Sequence, residues 1–183
     1  MAERCEKEIA DAAYCVMQLE IPLETVERVC EIAARTDTKI VLNPAPFRSL
    51  PPSLLSQTAY LIPNEHEARE LVGFPLADEA SCKRAVERLL AMGVGNVVIT
   101  LGERGSVYTD DGEIRFCPAA KTTVVDTTSA GDCFIGALVT RLSNGATMRE
   151  AIAFATKASA IAVSRKGASR SIPTVSELEE EEE

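Results

Sequence analysis

Along the chain, short apolar runs alternate with longer segments whose apolar residues recur every three to four positions. The first run, residues 14–19, predicts a strand. Residues 24–35 follow with Val26, Val29, Ile32 and Ala33 at helical spacing. Further strands are predicted over 39–42, 60–62 and 96–101. Helices are predicted over 65–72, which Gly73 ends, and over 78–92, with Gly93 and Gly95 behind it. Segments 106–109 and 113–117 flank Asp110-Asp111-Gly112, and Asp-Gly between two such runs signals a hairpin. Val124 and Val125 then run into a polar, small-residue stretch at 126–132, read as following one more short strand. Two Ala-rich helices are predicted over 133–142 and 148–163, the second apolar nearly all round and therefore expected to be buried. Pro173 opens a last short helix that dissolves into a run of glutamates.

Strands and helices alternating at these lengths predict right-handed β-α-β units, hence an α/β fold with a mainly parallel sheet to which the hairpin adds antiparallel strands. No repeat or long linker interrupts the pattern. One domain is expected over 1–175, with an acidic tail over 176–183.

Composition refines this picture. With 183 residues and 46% hydrophobic side chains, a sizeable core is available. Aromatics are 4% and Trp is absent, so Ala, Val, Leu and Ile must fill it, a palette that suits a sheet covered by helices. The net charge is −9, but Glu177 and the glutamates at 179–183 supply six of those charges and leave the rest of the chain at −3. No basic stripe favours nucleic acid. The six cysteines include no C-x-x-C pair and have only His66 for company, so they are read as reduced thiols of a cytoplasmic protein rather than a zinc site. No apolar run reaches membrane-spanning length, and no signal-peptide pattern opens the chain.

Open α/β sheets bind ligands beyond the carboxyl ends of their strands. The residues following each predicted strand are Glu20, Asn43-Pro44-Ala45-Pro46, Asn64-Glu65-His66-Glu67, Thr100-Leu101-Gly102-Glu103-Arg104-Gly105, and the 126–132 stretch. They are expected to line one cleft. Each also has a plainer reading: Glu20 as a surface acid before Pro22, Asn43-Pro44 as a turn, and His66 as a surface residue. Asn64 could be only an N-cap that Glu67 completes as a capping box, and Gly102 and Gly105 could only reverse the chain. The strongest case is 126–132. Ser129, Ala130 and Gly131 are small enough for close approach to the backbone, and N–H groups at a helix N-terminus favour an anion. Asp132 could be just an acid in the first turn. Beside an anion hole it also suits a general base for a hydroxyl attacking a phosphate.

These residues carry a resemblance. "DTTSAGD" resembles the second signature, D-T-T-G-A-G-D, of the ribokinase-like (PfkB) carbohydrate kinases. "NEHE" resembles their N-x-x-E motif and "TLGERG" their nucleotide loop. "MQLEIPLETV", "VLNPAP" and "AVSRKGASRSIP" look like the ribokinase branch of that family, and the match is collinear over nearly the whole chain. The resemblance implies a three-layer αβα fold on a Rossmann-like sheet, and ATP-dependent phosphoryl transfer to a sugar hydroxyl. Ribose is the sugar expected, with fructose or a nucleoside as alternatives.

Position by position, the resemblance implies Asp132 as the base, Ala130 and Gly131 as the anion hole, and Ser129 opening it. Glu20 matches an acid that contacts ribose. Asn64 and Glu67 match residues that arrange magnesium and phosphate, largely through water. Thr100, Leu101, Gly102, Glu103, Arg104 and Gly105 match the loop under the nucleotide, and Thr156 falls at the adenine region. Asp126, Thr128, Ala162, Arg165, Gly167 and Ser171 match the loop around a monovalent cation, usually potassium, held mostly by backbone carbonyls. Two departures accompany the match. Ser129 stands where glycine is usual, so its φ is in question. The family's N-terminal region, with its first strands, small β lid and sugar-gripping glycines, has no counterpart here. The fold is therefore expected without the lid and without the homodimer interface the lid supplies. A nucleotide-binding fragment without catalysis is the alternative reading.

Overall fold

The computed structural model describes residues 2–179. The chain divides into two compact units, Met1–Leu101 with Val107–Arg115, and Gly102–Ser106 with Phe116–Glu183.

In the first unit a 3-10 turn, Ala2–Cys5, leads into α1, Glu6–Ala10. Then come β1 (Tyr14–Met17), α2 (Leu23–Ala33), β2 (Lys39–Leu42), α3 (Pro52–Ser56), β3 (Tyr60–Leu61), α4 (Glu65–Val72), α5 (Glu79–Ala91) and β4 (Asn96–Thr100). The strands β5 (Ser106–Asp110) and β6 (Glu113–Cys117) complete a six-stranded sheet ordered β1-β2-β3-β4-β5-β6. The pairings β1–β2, β2–β3 and β3–β4 are parallel, with Val41 beside Tyr60 and Tyr60 beside Asn96. The predicted α/β class and mainly parallel sheet are what the structure has.

Local chemistry explains the elements. Val97, Val98 and Ile99 of β4 are all fully buried, as expected of a continuous apolar run covered on both faces. On α2 the buried residues Val26, Val29, Cys30, Ile32 and Ala33 form one stripe. The α5 helix starts at a capping box, with the Ser81 N–H donating to Asp78 Oδ1 at 2.7 Å and the Asp78 N–H to Ser81 Oγ at 3.0 Å. Between β5 and β6, Asp111 (φ 48°) and Gly112 (φ 82°) both have positive φ, the requirement of a two-residue type I′ turn.

Two first-unit expectations need revision. The strand predicted over 14–19 stops at Met17, because the Leu19 N–H leaves the ladder for the Ala45 carbonyl at 2.8 Å. The short helix α3 was not predicted, since five residues are too few to show a period, although it buries Leu54 and Leu55.

The second unit contains a 3-10 turn, Gly102–Arg104, and the helices α6 (Ala130–Ser143), α7 (Met148–Val163) and α8 (Val175–Glu179). Cys133 of α6, Ala158 and Ala162 of α7 and Leu178 of α8 form a buried cluster, with Ala137, Phe154 and Ile161 packed against it. Thr147 and Glu150 form a capping box at the start of α7, the Thr147 N–H donating to Glu150 Oε2 at 2.8 Å.

Three expectations are corrected here. Val124 and Val125 do not end a strand. They are 61% and 59% exposed, and the N–H groups of Val125 and Asp126 both go to the Val163 carbonyl, at 2.8 and 3.1 Å. The helix predicted over 133–142 begins three residues earlier, at Ala130. The helix α7 is not buried all round: Ala151, Ile152, Ala155, Ala158 and Ala162 form one buried stripe while Ala153 is exposed. Of the segment 176–183 read as an acidic tail, residues 176–179 lie in α8 and 180–183 lie outside the described residues. Among the described residues, no helix is long and apolar enough to cross a membrane.

Candidate active site

In the first unit the ends of the strands are joined by polar side chains. Asn64 caps α4: its Oδ1 accepts the Glu67 N–H at 2.9 Å, and its own N–H donates to Glu67 Oε2 at 2.9 Å. Asn64 Nδ2 donates to Glu67 Oε1 at 2.8 Å, so both carboxylate oxygens of Glu67 face Asn64 donors. Asn64 also bridges to Thr100 in parallel, and the Thr100 N–H donates to the Pro63 carbonyl at 3.0 Å. The residues Asn64, Glu67 and Thr100 are thus brought together. Asn43 Nδ2 ties the end of β2 to the Ile62 carbonyl at 2.8 Å. The Ala45-Pro46 bond is cis. Glu20 lies just past Leu19 and is exposed.

Glu67 is 5% exposed, and burial pushes its carboxyl pKa up, while the Asn64 N–H, nearby His66 and the Asn64 side chain pull it down. The capping box read from the sequence is therefore present. It leaves lone pairs on both Glu67 oxygens, which fits a magnesium ion that keeps its waters and meets the protein through them. His66 is exposed, with Nδ1 2.9 Å from an Arg69 guanidinium nitrogen, as the surface reading expected.

In the second unit, Ser129 is the N-cap of α6 at φ 61°, ψ 13°, the left-handed region, and makes no side-chain cap bond. Serine in place of glycine there costs roughly 1–2 kcal/mol. Ala130, Gly131 and Asp132 form the first turn of this 14-residue helix, with the Ala130 N–H donating to the Thr127 carbonyl at 3.2 Å. Gly131 is exposed, and a Cβ added to it would meet nothing within 4 Å. Open space thus faces an end of a helix that favours negative charge. Asp132 is exposed in the same turn.

Just before that turn, Asp126 Oδ1 accepts the Thr128 N–H at 2.9 Å and Oδ2 accepts the Gly167 N–H at 3.0 Å. The Thr128 side chain and N–H, with the Gly167 N–H, hold the Asp126 carboxyl down to about 2. Asp126, Thr128 and Gly167 are therefore assembled as one cluster. The Arg165 N–H donates to the Ala162 carbonyl at 3.2 Å, and its guanidinium goes to Glu177 Oε1 at 2.6 Å. Ser171 is fully buried and its hydroxyl donates to the Ala168 carbonyl at 2.7 Å. The side chains of Arg165 and Ser171 thus serve the loop itself.

Thr156 Oγ1 lies 3.7 Å from Cys117 Sγ. Of the nucleotide-loop residues, Thr100 and Leu101 belong to the first unit, and Gly102, Glu103, Arg104 and Gly105 to the second. Gly102, Glu103 and Arg104 are exposed in their 3-10 turn. Gly105 (φ 90°) presses the loop onto the backbone of 117–119, where an added Cβ would lie 2.0 Å from the Cys117 carbonyl oxygen.

One structural residue escaped the sequence reading. Glu177, assigned to the tail, holds Arg165 and caps α8, its Oε2 accepting the Thr174 N–H at 2.8 Å. The burial of Leu178 in the same helix supports that docking. Thr174 to Glu177 reads T-x-x-E, a capping-box pattern, so the signal was present.

Known proteins resemble this chain over most of its length. The model of the pfkB family carbohydrate kinases matches residues 3–175. A ribokinase of Schizosaccharomyces pombe is 42% identical over 95% of this chain and 56% of its own length. Among solved structures, a ribokinase of Thermotoga maritima superposes with a TM-score of 0.84 at 35% identity, over 96% of this chain and 58% of that one. An Arabidopsis thaliana ribokinase complexed with ribose and ATP superposes with a TM-score of 0.93 at 28% identity, over 98% of this chain and 59% of that one. The chain therefore spans somewhat more than half the length of these relatives.

Proposed function

The chain belongs to the pfkB family of carbohydrate kinases, and from this we propose that it acts in the ATP-dependent phosphorylation of a sugar hydroxyl, with ribose as the sugar. The observation that carries the proposal is the first turn of α6, where exposed Asp132 follows a Gly131 that borders open space. Asp132 takes the proton from the attacking hydroxyl, a role worth roughly 10²–10⁴ in rate. The N–H groups of this turn, headed by Gly131, receive the charge that builds on the transferred phosphoryl oxygens. Phosphoryl transfer depends on such positioning and charge neutralisation more than on covalent chemistry.

The other assignments follow the same reading. Asn64 and Glu67 hold water-bound magnesium, which neutralises phosphate charge when present. Thr100, Leu101, Gly102, Glu103, Arg104 and Gly105 lie under the nucleotide, Thr156 borders the adenine, and Glu20 hydrogen-bonds the sugar. Main-chain carbonyls of 126–128 and 162–171 take potassium, with Asp126 fixing the loop. Ribose is favoured because a 42% identical relative is a ribokinase and a superposable one is complexed with ribose and ATP. The six cysteines are all free, which fits a cytoplasmic setting.

The test is ribose-dependent ADP formation by the purified chain with magnesium and potassium, compared with Asp132→Asn. Turnover that the substitution lowers by about 10²-fold or more supports the proposal. A melting temperature raised by ATP without any ribose turnover would mean nucleotide binding alone and would sink the kinase reading for this chain.

A further inference from the structure

We infer that Ser159 is a positioning residue that aims the Gly131 N–H. The inference deepens the kinase reading of the α6 first turn and rests on it. Ser159 Oγ, from within α7, donates to the Ala130 carbonyl at 3.2 Å, across 29 positions of sequence. The Ala130 carbonyl and the Gly131 N–H belong to one peptide unit. Because that unit is planar and trans, fixing its oxygen fixes the direction of its N–H on the opposite side. A donor on the carbonyl also polarises the peptide and strengthens its N–H as a donor. Ser159 therefore acts on the anion-facing group without reaching the anion.

The bond is not the default for a helical hydroxyl. Such a group commonly turns back to the carbonyl four residues earlier, as Thr140 does to Gly136 at 2.7 Å. Ser159 instead crosses to the neighbouring helix. Ala158 and Ala162, packed with Cys133, supply the small contact surface that brings the two helices close enough. The Ala130 oxygen has a second lone pair, so it can accept Ser159 while remaining in the helical ladder.

The α6 turn has particular use for this support. The helices α4, α5 and α7 all begin with capping boxes, whereas Ser129 provides no side-chain cap. Ser129 is also held at φ 61°, a conformation that persists in a non-glycine residue only when its surroundings over-determine it. The Ala130 N–H bond to Thr127 holds the turn from the loop side, and Ser159 holds it from α7. The support from Ser159 should therefore matter less once glycine replaces Ser129.

The test compares the full chain with Ser159→Ala, Ser159→Thr, Ser129→Gly and the Ser129→Gly/Ser159→Ala double variant, with Thr140→Ala as a control that removes a hydroxyl bond elsewhere on α6. Ser159→Ala is expected to move the Gly131 amide resonance in ¹⁵N NMR and to lower kcat about 3- to 10-fold, the equivalent of one lost hydrogen bond, with the KM for ribose within about twofold. Ser159→Thr, which keeps the hydroxyl, restores both; Thr140→Ala changes neither; and in the Ser129→Gly background the Ser159→Ala penalty shrinks. An unmoved Gly131 resonance in Ser159→Ala, or an equal shift in Thr140→Ala, overturns the inference. If no protein in the set turns over ribose, the kinase reading fails on its own and the Gly131 resonance still decides the role of Ser159.

Discussion

The Gly167 N–H donates to Asp126 Oδ2 at 3.0 Å, joining residues 41 positions apart. The Asp126 N–H in turn donates to the Val163 carbonyl at 3.1 Å, so the segment before α6 and the segment after α7 are laced together from both sides. Gly167 has φ 112°, where a side chain would be strained, so glycine is what allows its N–H to point at the carboxylate. Asp126 is therefore an organiser of the proposed cation loop as much as a part of it.

Removing that charge should leave a pH signature. The Asp126 carboxyl is lowered from 3.8 to about 2, chiefly by Thr128 and then by Gly167. A lowered folded-state pKa stabilises the fold above the unfolded value, and that contribution is lost as pH falls through the folded value. The melting-temperature difference between the parent and Asp126→Asn should thus be constant from neutral pH to about 5 and close between about 4 and 2. Glu177, also lowered to about 2, titrates in both proteins and cancels from the difference. A difference that grows on acidification would contradict the clamp.

Asn64 and Glu67 give the opposite sign. Burial raises the Glu67 carboxyl, so Glu67 favours the fold below its unfolded value, and this is lost as pH rises through its folded value. Asn64→Ala removes the Nδ2 donor from that carboxylate, leaving the main-chain N–H, and should raise its pKa further, which a ¹³C NMR titration of Glu67 would show. Losing the cap should also cost about 1 kcal/mol of stability. A Glu67 titration that stays in place would mean that Asn64 does not tune this carboxylate.

Two glycines of one loop should respond differently to alanine. At Gly105 a Cβ would lie 2.0 Å from the Cys117 oxygen and 2.6 Å from the Ala119 nitrogen, both backbone atoms. At Gly102 (φ 60°) it would meet nothing within 4 Å, leaving only the left-handed penalty of roughly 1–2 kcal/mol. Gly105→Ala should therefore displace the loop and weaken ATP binding at least about tenfold, with Gly102→Ala well short of that. Calorimetric titration with ATP measures both, and equal affinities would refute the distinction.

Much of this architecture was legible because each signal was local. The αL stop at Gly73, the Asp111-Gly112 turn and the Asn64-to-Glu67 box each depend on residues within a few positions of one another. The 126–132 motif was legible as chemistry, yet its surroundings were misread. Val124 and Val125 look like the end of a strand, but the N–H groups of Val125 and Asp126 go to Val163, at the far end of α7. Small residues at Ser129, Ala130 and Gly131 look like a loop, whereas tertiary support lets the helix begin at Ala130. Ser159 was invisible for the same reason, since its partner is another helix's carbonyl and no sequence period encodes that contact.

The acidic end of the chain offers the sharpest contrast between composition and packing. By composition, residues 176–179 continue a solvated glutamate run, yet Leu178 is 4% exposed, packed with Cys133, Ala158 and Ala162. Lys157 Nζ donates to the Leu178 carbonyl, and Arg165 holds Glu177. If α8 is docked in this way, Leu178→Ala removes a buried side chain and should cost about 2–3 kcal/mol, the lower part of the range for such truncations because a terminal helix can settle into the space. For a chain of this size that lowers Tm by roughly 4–12 °C. Val175→Ala, on the 53% exposed opening residue of the same helix, should stay within about 0.5 kcal/mol. Thermal melts of the two variants decide the matter: matching small shifts would make α8 a tail after all, while a large shift confined to Leu178→Ala makes it part of the core beneath α6 and α7.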